Sequence, residues 1–289
     1  MTEPGPSPHP PGPSPRPPGP SPHPPGPTYY DRPAIKEPVW IWSVPAYFHA
    51  GGVTAGAALL AAATQHRADL AGFTTRCRWL AAGGAALSTA FLVHDLGRPA
   101  RFLNMLRVFR PTSAMSMGSW TLAAGVGAPV LGTYTGVLLA DTAVPVWQHT
   151  RHTLPPLFAT SALASTTAAL ELLGLDGQAE RITHRLGTGA KLAELAAATA
   201  VERDAAAAGP AVARPLHEGV SGQLWQASKV LTALSLLVSL LPLPRRTRQL
   251  LTGTLGTLAG LALRFGVFRA GFISARDPHA TFAPQRAHH

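Results

Sequence analysis

Four side chains capable of proton chemistry stand out in an otherwise apolar sequence: His49, His94, Asp95 and Glu171. An imidazole titrates near pH 6.5 when unperturbed, so it takes and gives protons at about working pH. His49 is the only histidine well inside an apolar stretch, while His94-Asp95 closes the next stretch and Glu171 closes the fourth. Ionisable groups held inside apolar helices are costly and tend to be functional. Plainer roles fit the same residues. His49 fits a hydrogen bond between helices, and Asp95 with Arg98 fits an interfacial salt bridge shaping the Gly97-Pro99 turn. A bis-histidine haem would require His49 opposite His94, the single pair available.

These side chains need helices to hold them, and seven stretches are long and apolar enough to be read as spans. They are residues 42–64, 79–96, 118–140, 154–175, 184–201, 224–243 and 250–273. A bilayer core of about 30 Å needs roughly 20 mainly apolar residues per helix. The fifth stretch is weakened by Lys191 and Glu194, the sixth contains Lys229, and the seventh contains Arg264 and Arg269. Gly52/Gly56, Gly132/Gly136 and Gly256/Gly260 each form G-x-x-x-G, which lets helices approach closely in lipid. The expected fold is all-α: a polytopic transmembrane bundle over residues 29–289.

Composition agrees with that expectation. Charged residues make up 13% of the chain, about half the usual share for a soluble domain of roughly 25%. The ten surplus positive charges sit in short loops between apolar blocks, where they suit lipid headgroups rather than nucleic acid. Cys77 is the only cysteine, which excludes an intrachain disulfide, a C-x-x-C pair and a thiolate cage for zinc or an iron–sulfur cluster. Any electron handled here must arrive from another chain. Residues 1–28 hold 14 of the 29 prolines in a heptapeptide repeat, so they are expected to form a disordered polyproline II tail. No basic segment leads directly into an apolar core there, so the first span is expected to act as its own insertion signal.

Alternating the loops of seven spans puts twelve basic residues on the N-terminal face and eight on the other, which marks the N-terminal face as cytoplasmic. In that arrangement Glu171 shares the N-terminal face with His49, His94 and Asp95. Asp141 falls on the opposite face, toward Lys229, Arg264 and Arg269. Arg98 to Arg110 is expected to be an interfacial helix with Phe102, Leu103, Leu106 and Phe109 on one stripe.

Three segments carry a family likeness. The first runs from Tyr29-Tyr30-Asp31-Arg32-Pro33 through Lys36-Glu37-Pro38-Val39-Trp40 to Pro45-Ala46-Tyr47-Phe48-His49-Ala50-Gly51-Gly52. The second is His94-Asp95-Leu96-Gly97-Arg98-Pro99-Ala100-Arg101-Phe102-Leu103-Asn104-Met105-Leu106-Arg107-Val108-Phe109, leading to Gly118-Ser119-Trp120. The third is Thr133-Tyr134-Thr135-Gly136-Val137-Leu138-Leu139-Ala140-Asp141 through Trp147. With Arg264, Arg269 and Ala275-Arg276-Asp277-Pro278, they resemble the NrfD/polysulfide reductase membrane-subunit family. Members usually have eight or more spans. Here residues 118–147 combine the marks of two family helices within about 45 Å of helix, enough for one crossing, so one span looks shortened away.

The resemblance implies a quinone-binding bundle (menaquinone or ubiquinone) with no haem, metal or iron–sulfur cluster of its own. It implies a four-cluster, ferredoxin-like iron–sulfur partner and, through it, a molybdopterin-type catalytic subunit. Proton handling is then expected at His49, His94 and Asp95, and quinone contacts at Tyr47, His49, Arg98, Tyr134 and Asp141. The expected protein is a multi-pass anchor in the cell membrane, not catalytic alone. A proton-linked transporter and an assembly scaffold without quinone chemistry are the rival readings.

Overall fold

The computed structural model describes residues 35–38, 40–96 and 128–286. The proline-rich tail, Arg98 and the expected interfacial helix lie outside them. Among the described residues the chain is helical with no strand: α1 (Ser43–Thr64), α2 (Ala71–Leu96), α3 (Ala128–Ala140), α4 (Pro145–His149), α5 (Leu154–Leu172), α6 (Gly177–Ala208), α7 (Pro210–Ala213), α8 (Gly219–Leu240), α9 (Arg245–Arg276) and α10 (Pro278–Arg286). Helix ends follow local chemistry. Pro155 and Pro210 begin helices where a missing N–H costs nothing. Gly174, at φ +74°, turns the chain after α5 in a conformation that strains other residues.

Every one of the seven apolar stretches contains a helix, and among the described residues two helices, α1 and α9, are long and apolar enough to cross a membrane. Of the others, α3 is short, α6 carries many Glu and Arg, and α5 and α8 are rich in Ser and Thr. Many Ser and Thr hydroxyls donate to carbonyls one turn back, as Thr166 does to Ala162 (2.8 Å) and Thr188 to His184 (2.8 Å). Such hydroxyls are satisfied within their own helix.

Helix α8 shows the packing logic most clearly. Its buried face is Ser221, Trp225, Ser228, Thr232, Ser235 and Ser239, a four-three spacing of mostly small polar residues against α9. Its exposed face carries Val220, Val230, Leu234, Leu237 and Leu240. A helix facing water has the opposite arrangement. Small residues inside and aliphatic residues outside are how helices associate in lipid, where close backbone approach replaces the hydrophobic effect.

Helix directions define two ends. At the proximal end Trp40 stacks on Trp147 (centroids 6.1 Å apart), the Ile41 amide donates to Asp95 (3.3 Å), and Arg276 pairs with Glu37 (2.7 Å). At the distal end Arg76 donates to the Gly174 carbonyl (2.6 Å) and Arg248 to Glu180 (2.6 Å). Helices α1 and α5 run parallel, since Phe48 meets Phe158 and Val53 meets Thr166 with nearly constant offset. Helix α9 runs antiparallel to both, from Gly253 beside Leu172 to Arg264 beside Phe158.

This corrects the alternation expected from seven spans. Helix α3 runs toward the proximal end, because Tyr134 lies against Tyr47 and Gly136 against Pro155 at the start of α5. Helices α2 and α3 therefore finish at the same end, and every later helix is reversed relative to expectation. Asp141 is proximal with His94 and Asp95, whereas Glu171 is distal. Arg269 is proximal too, in a cleft with Trp40 and Trp42. The basic count changes with it: Arg67, Arg76, Arg78, Arg181, Arg185, Arg245, Arg246 and Arg248 are all distal. The twelve-to-eight tally for the N-terminal face no longer holds.

Candidate functional site

Among the described residues, α1, α2 and α5 enclose a cavity of about 670 Å³ with His49 on its wall. Val53, Leu80, Leu87 and Leu173 supply most of its apolar lining, and Trp79, 75% exposed, stands at its rim. Gly83 and Gly84 lie on the α2 side. At Gly84 a Cβ would strike the Thr54 hydroxyl, so glycine lets α2 close on α1 there, while a Cβ at Gly83 would meet nothing.

His49 is held from behind by α9. Its Cε1 and Nδ1 lie against Gly260, where a Cβ would fall 3.0 and 3.2 Å from them and collide with the Ser165 hydroxyl. The second glycine of Gly256-x-x-x-Gly260 thus makes room for the imidazole. Nδ1 is buried without a hydrogen-bond partner. That polar ring atom faces α9 at Gly260, while the imidazole as a whole stands on the wall of the cavity.

Behind His49 lies a charge that the helix interior fully encloses. The Arg264 guanidinium sits 4.1 Å from the Phe158 ring centroid and donates to the Phe158 carbonyl (3.1 Å). Its Nε and Nη1 are buried and unpartnered. Arg264 interacts electrostatically with Glu194, whose carboxylate accepts from Thr232 at 3.3 Å. Lys191 lies between Glu194 and Glu171 and interacts with both. Lys229, one of the three cations expected on the same face as Asp141, is paired with Glu202 at 2.8 Å. Glu202 also accepts from the Trp225 indole at 2.6 Å.

The other expected site residues are elsewhere. His94 packs against Trp42 (centroids 5.5 Å apart) and Asp95 receives the Ile41 amide. Both sit where the entering segment meets the end of α2, about 10 Å along α1 from His49. Tyr47 and Tyr134 are buried together in the proximal core, their phenols interacting. Neither lines the cavity. Asp141 is exposed in the turn after α3, and its carboxylate has no hydrogen-bond or ion-pair partner among the described residues. Arg98 lies outside the described residues. The structure therefore does not bring His49, His94 and Asp95 into one constellation.

Two features went unread in the sequence. One is the contribution of α2 to the cavity, signalled only by the adjacent Gly83 and Gly84. The other is the alignment of Arg264, Glu194, Lys191 and Glu171, which were seen as separate blemishes on separate helices. Ser165 on α5, buried, completes the polar surroundings of His49 at Gly260.

No curated protein and no solved structure matches the chain. A family model does: residues 33–131, 99 of the 289, match the family described as Polysulphide reductase, NrfD. The matched stretch includes α1 and α2, which form two of the three walls around the His49 cavity. Over that stretch the chain is similar to this family, the one that its His49 and His94-to-Phe109 motifs resemble.

Proposed function

We propose that this chain is the integral-membrane anchor of a multi-subunit oxidoreductase, exchanging electrons between an iron–sulfur partner and membrane quinone. The NrfD family consists of membrane subunits of oxidoreductases, which supports an anchor role in general. The apolar outer face of α8 and the length of α1 and α9 support a multi-pass membrane position. The observation that carries the reading is the cavity: a slot of about 670 Å³ whose inner wall presents one imidazole and whose rim is an exposed tryptophan. Its volume lies within the roughly 300–1,000 Å³ common for small-molecule sites.

The residues present fit a quinone. Val53, Leu80 and Leu87 would pack on the ring and its tail, and the imidazole of His49, which lines the cavity, would meet a polar oxygen. When bound, quinone supplies a redox couple of two electrons and two protons. The role of the chain is to exclude water with the apolar walls, orient the ring, and hold or release a proton at the imidazole of His49. Positioned acid–base groups of this kind contribute about 10²–10⁴-fold to rate. His94 and Asp95 would serve at the proximal surface, beside the entering segment, rather than in the cavity. The partner chemistry remains that of a four-cluster iron–sulfur protein joined to a molybdopterin-type subunit.

The test is the complex purified from its native membrane, assayed for quinone-dependent turnover and for binding of a quinone analogue. His49→Ala should abolish turnover while the complex still assembles. Unchanged turnover removes His49 from the site. Substrate-dependent flux through the chain alone in liposomes would instead identify a transporter.

A further inference from the structure

Of the buried side-chain polar atoms without a partner among the described residues, Ser43 Oγ stands apart at the start of α1 and Ser161 Oγ lies on α5, while the others reach from His49 toward the distal end. Ser165 Oγ and His49 Nδ1 lie beside Gly260, Arg264 Nε and Nη1 lie one turn further along α9, and Glu171 Oε2 and Thr183 Oγ1 lie toward the distal end. Buried polar groups are almost always satisfied, by protein or by water. Between them runs a sequence of alternating charge: Arg264, Glu194, Lys191, Glu171, then Arg248 and Glu180 at the distal surface. The first four are 1, 4, 1 and 6% exposed. None of these four joins a direct ion pair within 4 Å among the described residues, so each gap is wider than a hydrogen bond. A space of about 10 Å³ lined by Glu171, Thr183 and Arg248 has the size of a single water.

The proximal side of His49 is different. There Tyr47, Phe48, Tyr134 and Phe158 pack as a continuous core with Trp147 and Leu139. Among the described residues that side offers the imidazole no comparable run of charged groups.

We propose that Glu194, Lys191 and Glu171, bridged by water, form a proton path between the distal surface and the His49 cavity. This rests on the quinone reading of that cavity. For each pair of electrons passed to or from the iron–sulfur partner, two protons leave or enter by the distal end. Glu171 and Thr183 mark its mouth, and Glu194, held by the Thr232 hydroxyl and facing the charge of Arg264, is its inner carboxylate.

Two readouts test this in the native complex. In a Cys77→Ala background, Thr183→Cys and Ser165→Cys should react with silver ion, a water-sized thiol reagent, added at the distal side of vesicles. Leu263→Cys, buried in apolar packing, should not. Separately, Glu194→Gln should slow quinone-dependent turnover at least tenfold, leave analogue affinity within twofold, and be partly rescued by Glu194→Asp. Thiols unreactive at both Thr183 and Ser165, or full turnover in Glu194→Gln, overturns the path. If Glu194→Gln does not assemble, the silver reaction decides alone. Reactive thiols in a complex that binds no quinone analogue would overturn the quinone reading and leave the water path standing.

Discussion

The proximal end and the centre of the bundle hold similar residue types in opposite circumstances. His94, Asp95 and Asp141 are proximal and partly or fully exposed, and their neighbours are an indole and a backbone amide. His49, Arg264, Glu194 and Lys191 are enclosed by four helices, with apolar packing on one side and a cavity on the other. An exposed carboxylate is solvated and screened, so its loss changes little. An enclosed charge depends on its partners, because the desolvation it suffers is offset only by them. The motif-bearing residues at the end of α2 are thus the energetically quiet ones, and the unmotivated charges of α6 and α9 are the sensitive ones.

The largest effect should come from Arg264→Leu. It removes a buried cation that interacts with Glu194 without a direct ion pair, so the loss should stay below the roughly 3–5 kcal/mol of breaking a contacting pair. The thermal midpoint of the purified chain should fall sharply, and the double change Arg264→Leu/Glu194→Leu should recover a good part of it. A single variant as stable as the parent would erase the contrast between centre and end.

Next is His49→Ala, expected to lower quinone-dependent turnover by about 10² or more without loss of assembly. Asp95→Asn and His94→Ala should each leave turnover within about twofold, as expected of exposed groups outside the cavity. A hundredfold loss in either would move the proton-handling site to the proximal end and break the comparison from the other side.

The smallest effect concerns Glu37. Its hydrogen bond to Arg276 holds the carboxylate below its ordinary value of 4.5. A depressed carboxylate pKa contributes stability that is present above that value and is lost as the pH falls through the lower folded value. Glu37→Gln should therefore flatten the acid side of the profile of thermal midpoint against pH, and change nothing near neutrality beyond the small effect of an exposed pair.

The sequence alone determined the helical class, because long apolar stretches punctuated by Pro, Gly and Arg leave no other way to satisfy the backbone. It also determined the family likeness, carried by the His94-to-Phe109 run, and it marked His49 as the one histidine inside a span. Direction was a different matter. Apolar length says that a helix forms and nothing about which way it runs, so the return expected at α3 carried Asp141, Glu171 and the arginines of every later loop to the wrong end. Partnership was equally out of reach. Lys191, Glu194 and Arg264 weakened the spans that contain them when read one helix at a time. Only the packing of α6, α8 and α9 turned those charges toward one another, since electrostatic compensation depends on distances across helices that no spacing along one helix encodes.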